Sequence, residues 1–303
     1  MRLAIVGFGL IGGSIARALA ARDAGRWEVT AWSRSADGPR AALADGVIDA
    51  VAPSAAGAVA GAELAVLAAS PLANLGLMTE VGPSVAAAGA TLSDVTSAQG
   101  AVARAAAAVP GLHHVGGHPM AGIEARGYEA ARADLFVGRP WIVLPGSAAL
   151  PEDVARVEEL AVACGARPVA LDPETHDRLV AAVSHLPLLV AAALAETVTG
   201  TDTWVGAAPL ASGGWRDATR VARGDPDLGA GIAALNRDRL LEWLDRFSTV
   251  LDSWRADLAA LPSTPDAGAA EALRQRFDRA RVALDGARGT DRHGADGRVG
   301  GGD

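Results

Sequence analysis

Three segments of the chain bring together residue types that can do chemistry, at spacings that suit it. The first is Gly7-Phe8-Gly9-Leu10-Ile11-Gly12, which follows the apolar run Leu3 to Val6 and precedes an alanine-rich stretch from Ser14 to Ala21. Strand, G-x-G-x-x-G turn and helix in that order form a cradle for a pyrophosphate. Gly7 permits the tight turn, Gly9 lets the backbone approach the phosphates, and Gly12 lets helix and strand pack closely, while the helix start offers unpaired N–H groups. The second segment is Asp94-Val95-Thr96-Ser97-Ala98-Gln99-Gly100, and the third is His113-His114-Val115-Gly116-Gly117-His118-Pro119-Met120-Ala121-Gly122. His114 and His118 have the i, i+4 spacing of a helical metal pair, but the glycines between them and Pro119 after them disfavour a helix. No third ligand stands nearby, so no metal is expected. A histidine at a strand end beside a dinucleotide loop reads instead as a general base, since imidazole is largely neutral at working pH.

Short apolar runs mark the strands that must position these segments: Leu3 to Gly7, Glu28 to Trp32, Leu64 to Ala68, Thr91 to Val95, Val115 to Gly117, Trp141 to Leu144 and Pro168 to Leu171. Their alternation with helical stretches predicts an α/β, Rossmann-type doubly wound parallel sheet over residues 1–171. Such sheets bind ligands beyond the carboxyl ends of their strands, where both polar clusters fall. After Asp172-Pro173 the strand signals cease, and residues 172–285 read as an all-helical domain for substrate and dimerisation. Glu174 to Val198 is apolar almost all round, the pattern of a helix buried on most faces. Pro187 inside it predicts a kink beside Ser184 and His185. Leu240, Leu244, Phe247, Leu251, Trp254, Leu258 and Leu261 recur at coiled-coil spacing, a seam that fits a partner helix of this chain or of a second copy. Glu271 to Leu284 reads as one more helix, and residues 286–303, rich in glycine, aspartate and arginine, are expected to lack fixed structure.

The second strand bears on the cofactor. An NAD site usually has an acidic residue about 20 residues beyond the glycines, to accept from the ribose 2′-hydroxyl. In Val29-Thr30-Ala31-Trp32-Ser33-Arg34-Ser35 that place holds Ser33 and Arg34, with Asp37 close behind. A hydroxyl and a guanidinium suit a 2′-phosphate, which favours NADP over NAD. The expected cofactor contacts are Gly7, Phe8, Gly9, Leu10, Ile11, Gly12, Ser33, Arg34 and, beyond the third strand, Ser70.

Composition narrows the alternatives. A net charge of -8 argues against nucleic acid or an anionic membrane surface as partner. One cysteine, Cys164, excludes an internal disulfide and fits a reducing compartment. Glycines interrupt the apolar N-terminus, so it does not read as a signal peptide. No apolar run reaches the roughly 18 residues of a spanning helix without a polar break. A cytoplasmic protein is expected.

Gly116-Gly117-His118-Pro119-Met120-Ala121-Gly122-Ile123-Glu124 is followed by Asp134-Leu135-Phe136 and Trp141-Ile142-Val143-Leu144-Pro145. Then come Thr175-His176-Asp177, Ser184-His185-Leu186-Pro187, Gly213-Gly214-Trp215-Arg216-Asp217-Ala218-Thr219-Arg220-Val221-Ala222 and Asn236. In this order, over residues 1–260, the chain resembles the prephenate/arogenate dehydrogenase family. The resemblance implies NAD(P)-dependent oxidative decarboxylation of prephenate to 4-hydroxyphenylpyruvate in tyrosine biosynthesis. Arogenate, giving tyrosine directly, or an amino-deoxyprephenate of a specialised pathway would use the same site. It implies His118 as base and Ser97 as a catalytic partner that bonds the substrate hydroxyl or orients His118. Arg220, Ser184, Glu124 and His185 would bind the substrate, with Glu124 gating or polarising the site, and a homodimer would form through the helical domain. Arg216 and Asp217 read as a structural ion pair.

Two positions depart from the family pattern. Gln99 stands where lysine is frequent, and Leu188 where a second histidine is frequent. Leu188 offers no carboxylate to an ammonium, which tilts the reading toward prephenate. Imine reductases and 6-phosphogluconate dehydrogenases share the cofactor loop and a helical domain, but commonly use a lysine or aspartate there. This chain contains no lysine.

Overall fold

Leu3, Ala4, Ile5 and Val6 are all buried, as a strand covered on both faces of a sheet requires. They belong to β1 (Arg2–Val6), an interior strand of an eight-stranded sheet of order β3-β2-β1-β4-β5-β6-β7-β8. The computed structural model describes residues 1–264 and 266–293. The other strands are β2 (Glu28–Trp32), β3 (Ala50–Val51), β4 (Leu64–Leu67), β5 (Thr91–Asp94), β6 (His113–Pro119), β7 (Pro140–Pro145) and β8 (Arg167–Ala170). Helices α1 (Leu10–Arg22), α2 (Asp37–Ala44), α3 (Ala55–Val59), α4 (Pro71–Ala87), α5 (Gly100–Ala107) and α6 (Pro151–Ala163) connect them. One apolar cluster joins Ile15 and Leu19 to Leu160 and Phe136, and the other joins Met78 and Val81 to Leu92 and Val102. Strand order reverses between β1 and β4, so the loops after these two strands open the crevice where such sheets take ligands.

The expected strands all form, with two differences. Two-residue β3 is too short to leave a hydropathy signature. More consequentially, the sheet is not wholly parallel, because β7 runs antiparallel to β6. That pairing lengthens β6 beyond the expected Val115 to Gly117. Parallel pairing with β5 ends at Ser93↔Val115, whereas β7 supports β6 through His118↔Ile142 and Pro119↔Trp141. His118 is thereby carried past the end of β5 on a strand that is still held.

Beyond β8 the chain is helical: α7 (Pro173–Val180), α8 (Leu186–Thr199), α9 (Thr203–Ala207), α10 (Gly213–Thr219), α11 (Pro226–Leu235) and α12 (Arg237–Ala259), then α13 (Glu271–His293). The break expected near Ser184 is a π-turn, Ala181–His185, directly before Pro187. A missing N–H and ring crowding are met there by widening the helix. The helix is not buried on most faces as its composition suggested, since Val183 is 74% exposed. No described element of this chain covers that apolar side. The run Pro173–Thr199 has the length and mean hydropathy, 1.8, of a membrane span. However, His176, Asp177 and His185 within it are buried and hydrogen-bonded inside the protein.

Two compact units are present, Met1–Trp243 and Leu244 onward. In the second, the Trp254 and Phe277 rings meet at 4.9 Å and the Arg276 guanidinium lies over Trp254. Helix α13 continues to His293, into the stretch expected to lack structure. Ion pairs from Arg281 to Asp278 and Asp285 at helical spacing support it. The remainder of that expectation, residues 294–303, lies outside the described residues.

A Cβ on Gly12 would stand 2.4 Å from the Gly7 carbonyl oxygen, whereas one on Gly9 would meet nothing within 4 Å. Gly12→Ala is therefore expected to cost about 1–3 kcal/mol in urea unfolding. Gly9→Ala should leave the urea midpoint unchanged.

Candidate active site

The cofactor cradle forms as the glycine spacing requires. Gly7 has φ +97°, and a Cβ there would press on the Ala68 and Ala69 backbone at 2.4–2.8 Å. The loops after β1 and β4 thus touch at the point where strand order reverses. Helix α1 follows its N-cap Gly9 with no side-chain cap, leaving its first N–H groups for a ligand. The open space over Gly9 and these free donors fit a pyrophosphate. Leu10 and Ile11 form the first helical turn, and the buried Phe8 ring packs on Tyr128 at 5.5 Å, so Phe8 has only main chain to offer. Tyr128 also closes on Gly13, where a Cβ would stand 2.8 Å from its ring. Ser70 is the N-cap residue of α4, with its hydroxyl free of a cap bond. Past β2, Arg34 is exposed and forms no ion pair among the described residues, while Asp37 accepts a 2.7 Å bond from the Ser35 hydroxyl.

Along β6, alternation puts His114, Gly116 and His118 on one face. Gly116 is required there, because a Cβ would stand 2.2 Å from Gln99 Oε1. The Gln99 amide nitrogen lies 2.8–3.0 Å from Asp94 Oδ1, Thr96 O and Gly117 O. Two protons serve three acceptors, a place where lysine would supply three. On its other side, Asp94 Oδ2 meets His114 Nε2 at 3.0 Å. Buried Asn74 reaches from α4 to the Ala69 N–H, the Leu67 carbonyl and Thr96, tying the ends of β4 and β5 together.

His118 is buried, and its Nδ1 lies 2.8 Å from His176 Nε2, the two rings edge-on at 81°. His176 Nδ1 in turn lies 2.9 Å from Asp177 Oδ1. The same carboxylate accepts from the Gln99 and Gly100 main-chain N–H groups, both at 2.7 Å, where α5 begins. Asn236 donates to the Asp177 carbonyl at 2.8 Å and to His185 Nδ1 at 3.1 Å, leaving His185 Nε2 buried without a partner. Burial, reinforced by His176 and His185, holds the His118 imidazole well below its ordinary pKa. Burial likewise pushes His185 down from 6.5 to about 4, against the pull of Asp177. Both rings are neutral near pH 7, and His118 has a ring nitrogen left as acceptor for a substrate.

Ser97 is half-buried beside this cluster, but the ring partner of His118 is His176, so the orienting role expected of Ser97 falls to another residue. Ser184 lies half-buried in the π-turn. Arg220, 60% exposed, is ion-paired with Glu124, which the loop after β6 carries six residues beyond His118. Arg216 and Asp217 are exposed and do not pair, because adjacent residues on a helix do not face each other. His176, Asp177, Asn74 and Asn236 had no role assigned from sequence. The available signal was polar residues set within otherwise apolar helices, which need buried partners.

Comparison with known proteins adds to this geometry. The family pattern for the prephenate dehydrogenase nucleotide-binding domain matches residues 15–170. That for the prephenate dehydrogenase dimerization domain matches residues 172–275. The chain is 32% identical to prephenate dehydrogenase of Bacillus subtilis over 93% of its own length and 75% of that protein. A crystal structure of Synechocystis arogenate dehydrogenase superposes with TM-score 0.70 at 27% identity, covering 97% of this chain and 100% of that one. Prephenate dehydrogenase from A. aeolicus, solved with hydroxyphenyl propionate and NAD+, shares the fold with TM-score 0.83 at 24% identity, over 95% of this chain and 98% of that one.

Because the unfolded chain binds protons that buried His118 and His185 refuse, their stabilising contribution is complete above about pH 6.5 and drains away as pH falls toward 4. The thermal midpoint is expected to drop between pH 7.5 and 5, and to drop less in a His118→Asn/His185→Asn double variant. A parent midpoint that is flat over this interval would contradict the burial of neutral rings.

Proposed function

Since the chain belongs to the prephenate dehydrogenase family, we propose that it oxidatively decarboxylates prephenate to 4-hydroxyphenylpyruvate, the step that makes the aromatic ring of tyrosine. The observation that carries the reading is His118: a buried, neutral imidazole past the end of β5, with one ring nitrogen committed to His176 and the other left for a ligand. When bound, a nicotinamide supplies the hydride acceptor. His118 accepts the proton of the ring hydroxyl as the carbinol carbon is oxidised, and Ser97 bonds that hydroxyl. Arg220 takes a substrate carboxylate in its guanidinium fork, exchanging it for Glu124. Ser184 and the unpartnered His185 Nε2 line the substrate from the π-turn. Release of the ring carboxylate as carbon dioxide leaves an aromatic ring, which makes the step irreversible.

Arogenate is the second reading, favoured by the likeness to the Synechocystis enzyme. Leu188 speaks for prephenate, since it offers nothing to an ammonium. For the cofactor we favour NADP: Ser33 and the exposed guanidinium of Arg34 suit a 2′-phosphate, and Asp37 is held by Ser35. A homodimer through the helical segment is supported by the family pattern there and by exposed Val183, Val205 and Leu210.

Spectrophotometric assay of both substrates with both cofactors tests the reading directly. His118→Asn should keep substrate and cofactor binding while kcat falls by about 10²–10⁴-fold; unchanged turnover would remove His118 from the mechanism. NADP should bind more tightly than NAD, and Arg34→Ala should erase the difference in a fluorescence titration.

A further inference from the structure

We propose that Asp177 and His176 are positioning residues that fix the tautomer of His118, so that its Nε2 lone pair is the one presented to the substrate hydroxyl. The inference rests on the functional reading above and adds to it the residues that make His118 a competent base.

Asp177 is an acceptor on both oxygens. Oδ2 takes the Gly100 N–H, and Oδ1 takes the Gln99 N–H and faces His176 Nδ1. With main-chain N–H groups at the start of α5 donating to both oxygens, Asp177 faces His176 as an acceptor. His176 Nδ1 must therefore carry hydrogen, and in the neutral ring Nε2 then carries a lone pair. That lone pair faces His118 Nδ1 at 2.8 Å, so His118 Nδ1 must carry hydrogen and donate it. Only Nε2 of His118 is left able to accept a proton. When it does, the new imidazolium still donates from Nδ1 to His176, one ring away from a carboxylate whose charge it partly balances. The carboxylate also sets the turn that carries Ser97, so one group registers the base and the hydroxyl beside it.

A second set of bonds gives the neighbouring ring the opposite polarity. Asn236 must point its amide nitrogen at the Asp177 carbonyl, and the same nitrogen donates to His185 Nδ1. His185 is therefore the Nε2–H tautomer, a donor beside the acceptor on His118.

Long-range 1H–15N spectra of the 15N-histidine-labelled protein at pH 7.5, assigned with His118→Asn and His176→Asn, read this directly. His118 and His176 are expected as Nδ1–H tautomers and His185 as Nε2–H; a His118 ring found as Nε2–H overturns the proposal. Asp177→Asn puts an amide N–H where one of the two acceptor oxygens stood and removes the charge that balances the His118 imidazolium, loosening the hold on His176 and on the Ser97 turn. Its kcat should fall on the order of 10²–10⁴-fold, with substrate KM and cofactor Kd within about threefold. Unchanged kcat, or a loss confined to KM, overturns the positioning role. His176→Gln keeps an acceptor for His118 and should retain at least tenfold more turnover than His176→Leu; equal losses count against it. If Asp177→Asn no longer binds cofactor, the parent spectrum and the His176 pair decide. If the parent turns over neither substrate, the functional reading falls, and the spectrum still judges the tautomer chain.

Discussion

A buried carboxylate joins the helical half of the first unit to its sheet. Asp177 sits on the first helix after the last strand, yet its oxygens are spent on the amides that open α5, some 77 residues earlier in the chain. A charge buried to this degree is tolerable only when every lone pair has a donor, and here the donors are main-chain groups that would otherwise be orphaned. The two needs cancel. The bond therefore fixes the helical segment against the carboxyl edge of the sheet, and everything catalytic is arranged around it: the Ser97 turn on one side and the histidine pair on the other.

The second constraint is the change of strand direction at β7. An all-parallel sheet would end β6 with its neighbours and leave His118 in a mobile loop. The antiparallel partner extends the strand, so the base has a rigid main chain on both sides. Close packing tightens the same region. Gly116 gives its side-chain space to Gln99, and Gly117 lies against the Asp94 carbonyl and Trp141. The glycines around His118 are there to let a strand and a buried amide network share one volume.

Local patterns made much of this legible. Fully buried strands read as short apolar runs, and the cofactor turn reads as glycines at fixed offsets. His118 was conspicuous as a histidine at a strand end. The direction of β7 was not legible, because the residues from Met120 to Arg139 are as long as a crossover connection and nothing local marks them as a return. Nor was the pairing of His118 with His176, 58 residues away, since neither residue's neighbourhood names the other. The apolar surround of α8 misled for a different reason: hydropathy reports that a face avoids water, not which chain covers it.

The π-turn at Ala181–His185 sets the phase of everything after it. In an uninterrupted α-helix, His176 and His185 are nine residues apart and would point to opposite sides, since each residue advances about 100°. One extra residue in the turn takes back roughly that angle and swings His185 round toward the Asn236 amide. Closing this turn into regular α-helix without losing a residue would rotate the whole downstream helix by about a quarter of a circle. The imidazole would then be lost from the pocket, and the oily stripe beyond it would face a new direction. A locally better helix would make a worse enzyme.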